Sequence, residues 1–477
     1  MPVAAPRLWQ VRLVERLAEA GHQTSPRDAG EARMAMLDML LSVEALRFGG
    51  GLLSRTAAAE PARRSGSADL VVDLSGAASS AADGVPVLGL LFDGHPSPAA
   101  AAGTLSRGGL PVLTATLDGR PVAEARPMVD DRLWLSRALD DVLARAITLV
   151  ERCVRRFAEG RLAEDAVRAD LPAAGSARGP GPVHWLGMVP ELAGRLWHKA
   201  FYQPFHWQVG YRFLDGPGLA AGPDGPPWLE LDDDGSRFYA DPFPFEHEGR
   251  HFLFVEDFPH DAARGLISVA EASGERFSVP RPVLEEPFHL SYPQVFGHGG
   301  EIWMIPETMA ARSVILYRAT RFPDRWIRER VLIEDRALSD ATLVEHGGRF
   351  WLFASDRDGA GSASDCLAVY HAPALTGPFV PHRDNPVVID RTCGRPGGAF
   401  IRERGRLFLP VQDGTLGYGG GLGLVEIERL DGETVRLGAA RPLAASGWPH
   451  PRLHTLNRAG RLETIDGFVL RRRPRAG

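Results

Sequence analysis

A chain of 477 residues, 44% hydrophobic and 24% charged, exceeds what one core usually organises, so two or three domains are expected. The formal net charge of −6 comes with no basic stripe, which argues against nucleic acid as a partner; "RRRPR" near the end reads as a solvated tail. Cys153, Cys366 and Cys393 lack metal-ligand spacing, the start has no signal-peptide core, and no apolar run approaches the roughly 18 residues that span a bilayer, so a reduced, cytoplasmic protein without a transmembrane segment is expected.

Residues 1–160 read as an α/β domain of Rossmann type. "RLWQVRLVERLAEAG" places Leu8, Val11, Val14 and Leu17 on one helical face and stops at Gly21. "GEARMAMLDMLLSVEALRFGG" is a second helix. "DLVVDLSG" and "VPVLGLLFDG" are short Val- and Leu-rich runs bounded by Asp and Gly, as buried parallel strands are. "RLWLSRALDDVLARAITLVERCVRRFAEG" is a long amphipathic helix. Open α/β sheets place ligands at strand ends, here Asp73–Gly76 and Asp93-Gly94-His95. Neither GxGxxG nor GxxxxGK[ST] occurs, and "HPS" at 95–97 only loosely resembles the strand-end His of formyltransferases. A strand-end turn is the plainer expectation for that stretch.

Residues 161–204 read as a linker, "LPAAGSARGPGP", and a short helix, "ELAGRLWHKAFYQ". From residue 205 to 477 short apolar-aromatic strands alternate with turn residues, and a unit recurs. It is a strand, a turn at Gly249, Gly300, Gly348, Gly405 or Gly460, and a second strand; the glycines are spaced by 51, 48, 57 and 55 residues. A period near 50 with further strands between the hairpins is the mark of a β-propeller blade. Five hairpins predict five blades, the last closing the ring with strands from both ends of the segment.

In a hairpin the start of the first strand lies beside the end of the second. Every blade turns that edge toward one mouth. Eight positions before the turn glycine stand Asp241, Tyr292 and Asp340; seven positions after it stand Glu256, Glu307 and Gln412, with Asp413 one further on. His289, Arg395, His454 and Asp466 fall near the same edge. Any one Asp here could simply cap a turn. Together they form a set of carboxylates, an arginine, histidines and aromatics in which crowding raises carboxyl pKa values, so that one group can serve as an acid while another stays ionised. Paired carboxylates across a pocket suit glycoside hydrolysis. No GxSxG and no zinc spacing occurs, and no cofactor or metal is expected, although a carboxylate-lined mouth could hold calcium.

"ADPF", "HLSYPQVF", "IWMIPET", "SDATL", "RPGG", "PVQDGTLGYGGGL" and "HTLN" fall in one order, and over residues 205–470 they resemble the propeller domain at the N-terminus of plant glucosamine inositolphosphorylceramide transferases and its bacterial relatives. In the plant proteins that domain precedes a separate glycosyltransferase domain. The fold implied is similar to the five-bladed propellers of arabinanases, xylosidases and fructosidases. By that resemblance Asp241 matches a first-blade Asp acting as base or nucleophile, and Asp340 a later acidic position. Glu307 is the acid candidate, although its place after the second strand departs from the glycosidase pattern. His289, Tyr292, Glu256, Arg395, Gln412, Asp413 and His454 would line the sugar site. The resemblance implies a glycan, glycolipid or sugar-nucleotide ligand and a separate glycosyltransferase as partner. Three readings follow: a protein acting on a glycosidic bond, a non-catalytic glycan-binding scaffold, or a formyl-transferring enzyme using the N-terminal half.

Overall fold

The computed structural model describes residues 6–25, 35–57, 68–75, 84–162, 183–203 and 205–473. The stretch "LPAAGSARGPGP" and Gly76 lie outside these. Two compact units emerge: residues 1–194 with 358–362, and residues 195–357 with 363–477.

The first unit contains α1 (Leu8–Glu19), α2 (Ala35–Phe48), β1 (Val71–Asp73), β2 (Val87–Phe92), α3 (Pro98–Ser106), β3 (Leu113–Leu117), β4 (Arg120–Ala125) and α4 (Leu135–Ala158). α4 buries Leu139, Val142, Leu143, Ala146, Leu149 and Val150 along one stripe, as its apolar spacing requires. The sheet order is β1-β2-β3-β4, but only β1 and β2 run parallel; β2–β3 and β3–β4 are antiparallel. The parallel Rossmann-type sheet is therefore not what forms among the described residues. One cause is legible in "LDGR": Asp118 and Gly119 both take positive φ, 49° and 77°, and a two-residue Asp-Gly turn closes an antiparallel hairpin.

The second unit begins within α5 (Val183–Phe201) and is a ring of five sheets. Blade 1 starts with strands 237–247 and 250–259, blade 2 with 291–298 and 301–307, blade 3 with 338–346 and 349–356, and blade 4 with 401–403 and 406–412. Blade 5 takes its inner strands from 453–459 and 462–468 and its outer strands from 207–213 and 229–230. The ring thus closes with both ends of the segment, as the repeat implies. Each neighbouring pair of blades has its own apolar seam. Phe254 and Met304 join blades 1 and 2, and Ile305 and Leu352 join blades 2 and 3. Phe353 and Leu409 join blades 3 and 4, Leu422 and Leu456 blades 4 and 5, and Leu462 and Val255 blades 5 and 1. Glu248 and Gly249 at φ 51° and 73° and Gly299 and Gly300 at 61° and 81° make tight hairpin turns that suit the right-handed twist of the strands.

Candidate functional site

The innermost strands share a defect that strand periodicity alone does not reveal. Ala240 pairs with Glu256, but the next pair is Phe243 with Phe254, so one extra residue stands in the inner strand. The same shift recurs between Ser291 and Gln294, Ser339 and Thr342, and Leu453 and Leu456. A bulge bends the strand and re-aims the side chain it holds. The residues it carries are Asp241, Tyr292, Asp340 and His454, the first three in left-handed backbone at φ 47°, 47° and 51°. Blade 4 answers with Gly397-Gly398; a Cβ on Gly398 would stand 1.9 Å from the Leu456 carbonyl, so only glycine fits.

Two clusters result. In the first, His454 Nδ1 lies 3.3 Å from Asp241 Oδ1 and 3.3 Å from Asp466 Oδ2. Asp466 Oδ2 also accepts from Asp241 N–H at 2.9 Å, and its Oδ1 from Thr455 N–H at 2.8 Å. Burial disfavours charge on His454, but Tyr418, Asp466 and Asp241 overcome it and hold the imidazole well above its ordinary pKa. Burial raises the Asp241 pKa, and the imidazolium offsets that rise only in part. Trp207 stacks on His454 with centroids 4.5 Å apart, and the Tyr418 ring stands 5.3 Å away on edge. Asp241 Oδ1 and His454 Nε2 are buried without a hydrogen-bond partner, so a polar ligand has an acceptor and a donor to meet. Asp241, His454 and Asp466 also offer ligand atoms within 4.8 Å of one another, a spread suited to a metal ion. Both Asp466 oxygens already accept N–H groups, which suits an imidazolium as the resident cation.

In the second cluster Arg395 donates to Asp340 through Nε at 2.6 Å and through a terminal nitrogen at 3.2 Å, and Gln412 Nε2 donates to the same carboxylate at 2.6 Å. Glu307 Oε2 accepts from Asp340 N–H at 3.2 Å and lies 3.7 Å from Arg395. Burial, then the neighbouring Asp340 carboxylate, pushes Glu307 up to about 8, so it carries a proton at neutral pH. Burial and Asp241 likewise hold Glu256 well above the usual carboxyl range. His289 accepts from Gly265 N–H at Nδ1, 2.9 Å, so its proton sits on Nε2, which faces Glu256 Oε1 at 3.4 Å.

Most of the residues expected at the mouth do gather there. Two take other work. Tyr292 is fully buried: its ring meets Phe243, its hydroxyl lies 2.9 Å from Thr342 Oγ1 and accepts from Gly398 N–H at 2.6 Å. It plugs the ring by bridging blades 2, 3 and 4, and its hydroxyl is already engaged. Asp413 caps a short 3₁₀ turn by accepting from Thr415 N–H at 2.8 Å. Trp207 and Tyr418 escaped the sequence reading because their strands and loops lie outside the counted hairpins. The cue for Tyr418 was its glycine-rich loop, where a Cβ on Gly419 would stand 2.2 Å from Trp207.

In the first unit the polar groups of "DGHPS" are engaged locally. Asp93 accepts from Thr104 Oγ1 at 2.7 Å and Val112 N–H at 2.8 Å, His95 Nδ1 faces Ser97 N–H at 3.4 Å, and Ser97 caps α3. That is turn and cap chemistry, and the formyl-transfer reading has no support in it.

Residues 231–441 match the family model described as glucosamine inositolphosphorylceramide transferase 1, N-terminal. The resemblance read from the sequence holds over this span. Glucosamine inositolphosphorylceramide transferase 1 of Oryza sativa subsp. japonica is 38% identical over 203 residues, 42% of this chain and 27% of the rice protein. The Arabidopsis thaliana protein of the same name is 34% identical over 206 residues, with the same shares. The chain therefore spans about a quarter of the length of these curated relatives. Among solved structures, a thermostable family-43 glycoside hydrolase is similar at 12% identity and TM-score 0.35, over 45% of this chain and 78% of that one. Zg3597, a family 117 glycoside hydrolase of Zobellia galactanivorans, gives 12% identity and TM-score 0.37 over 55% and 90%. The five-bladed count rests on the strand pairings. No helix among the described residues is long and apolar enough to cross a membrane.

Proposed function

We propose that the propeller mouth is a carbohydrate site acting on a glycosidic bond, with Glu307 as the acid and Asp241 as the base or nucleophile. The observation that carries this reading is the contrast in surroundings: Glu307 holds its proton up to about 8, beside an Asp340–Arg395 ion pair, while Asp241 faces an imidazolium across an oxygen that has no hydrogen bond. Glu307 gives its proton to the leaving oxygen. Asp241 takes one from water or attacks the sugar carbon, and the opposite charges of His454 and Asp466 hold it in place. Tyr418, about half exposed, supplies aromatic surface for a sugar face, and the buried Trp207 backs His454. Glu256, its carboxyl pKa also raised by burial, faces a ring hydroxyl. The name of the relatives points to a glycolipid of the inositolphosphorylceramide class as ligand, with a sugar nucleotide or soluble glycan in the same class of site and a separate glycosyltransferase as partner.

A second reading has its own support. Asp340 is fully occupied by Arg395 and Gln412, and Tyr292 by Thr342 and Gly398, so part of the polar set holds the ring together. A mouth built that way binds a glycan without cleaving it. A screen against aryl glycosides, glycolipids and polysaccharides with Asp241→Asn and Glu307→Gln separates the two. Catalysis predicts turnover that drops about 10²- to 10⁴-fold in Glu307→Gln. Glycan binding without turnover, unchanged in both variants, moves the protein to the second reading.

A further inference from the structure

One corner of the second unit carries an apolar surface that nothing among the described residues covers. Leu196, Trp197, Phe201, Phe205 and Leu470 are all exposed, from 49% for Phe201 to 68% for Leu196. Trp197 and Phe201, four residues apart, share one face of the last turns of α5, and their rings lie 4.3 Å apart. The chain end pairs with this corner through its backbone. Tyr202 bridges Arg472, Gln203 N–H donates to Arg471 at 2.9 Å, and Arg473 N–H donates to Phe201 at 2.9 Å. Three consecutive arginines are thereby laid against exposed aromatics. Arg471 is neutralised, 2.6 Å from Asp233. Arg472 and Arg473 are exposed and pair with no carboxylate among the described residues. The backbone expected as a solvated tail is thus held up to Arg473 by an isolated bridge, with the Arg472 and Arg473 side chains exposed.

Aromatic and aliphatic side chains standing free beside unpaired arginines are the composition of a surface that enters the headgroup layer of a membrane. We propose that this corner docks on an anionic lipid bilayer. The chain as a whole is repelled by such a surface, at a formal net charge of −6, so the uncompensated pair Arg472 and Arg473 also sets which side approaches. The corner adjoins the mouth. Trp207 and Phe468 are paired in register, Trp207 stacks on His454, and Phe205 and Leu470 each lie two residues beyond that pair. Docking here brings the mouth beside the headgroups, whatever chemistry the mouth performs.

The test is co-sedimentation of the whole protein with phosphatidylcholine vesicles, with and without phosphatidylserine, at low and high salt. Binding is expected on the phosphatidylserine vesicles, falling as salt rises. Arg472→Glu with Arg473→Glu lowers it about 25-fold or more, at about five-fold for each positive charge lost. Trp197→Ala with Phe205→Ala abolishes it, while Arg250→Glu, at the first hairpin turn of blade 1, leaves it unchanged. Both double variants change exposed side chains and are expected to keep the parent's circular dichroism and melting temperature. No binding to phosphatidylserine vesicles overturns the proposal, as does binding that neither double variant changes. A concentration-dependent dimer lost in the aromatic variant, with no vesicle binding, overturns it in favour of a second copy of the chain.

Discussion

Blades 1 and 3 and blade 2 make the same backbone corner and use it for different ends. At Asp241, Tyr292 and Asp340 the strand is bulged by one residue and the backbone turns left-handed. Blades 1 and 3 put a carboxylate there, held by an imidazolium in one case and a guanidinium in the other. Blade 2 puts a phenol there and closes the ring with it. The corner is therefore a property of the fold, and the side chain it re-aims decides whether it holds a buried ion pair or a neutral hydrogen-bonded plug.

The sharpest way to break this comparison is at Asp340. Asp340→Ala leaves Arg395 and Gln412 buried without their shared acceptor, and removing one partner of a buried ion pair costs about 3–5 kcal/mol. Urea unfolding is expected to shift by that much, with Asp340→Asn in between. If the loss is below about 1 kcal/mol, the typical worth of an exposed pair, the buried pair is not what fixes blade 3 to blade 4.

Glu307→Gln should act in the opposite direction on stability. The folded protein keeps a proton on Glu307 up to about 8, whereas the unfolded chain releases it near 4.5. The folded state thus binds the extra proton between those values, and stability falls as pH rises through that window. Glutamine removes the titration. At pH 7 the variant is expected to be more stable by up to about 3 kcal/mol, with the gain vanishing near pH 4. Melting curves across pH read this directly. If catalysis uses Glu307, wild-type turnover also declines as pH rises past about 8.

Tyr292→Phe keeps the ring against Phe243 but removes the acceptor of Gly398 N–H. A buried unsatisfied donor costs about 1–3 kcal/mol, and glycan binding or turnover is expected to persist. Loss of ligand binding without loss of stability would put the phenol in the site and not in the plug. The smallest effect is expected at the rim: Arg406→Ala breaks an exposed pair with Glu426 and should leave the melting temperature unchanged.

Much of the propeller was legible because its signals are local. Glycines at hairpin turns and alternating apolar strands declare a blade within about 20 residues, and the 50-residue period multiplies the signal. Counting from Gly249, Gly300 and Gly348 located Asp241, Tyr292 and Asp340 because hairpin pairing preserves register. What counting could not show was the extra residue in the inner strands of blades 1, 2, 3 and 5, since a bulge leaves no periodic mark. Tyr292 shares its position and its backbone with Asp241 and differs in its partners, which lie on other blades and leave no mark in the local sequence. In blade 5 counting eight back from Gly460 lands on Arg452, whereas the bulge holds His454. The first unit was misread where a local cue was passed over: the Asp118-Gly119 turn fixes an antiparallel hairpin that a βαβ reading does not contain.

The closure of blade 5 also has a consequence for synthesis. His454 and Asp466 sit on the inner strands of the blade whose outer strands begin at Trp207, so about 250 residues separate partners that must meet. A nascent chain exposed as far as blade 4 has Asp241, Glu307 and Asp340 but no imidazole to face Asp241. The ring and its charged mouth are completed together, once the inner strands of blade 5 have been made, so a chain cut short before residue 453 has neither.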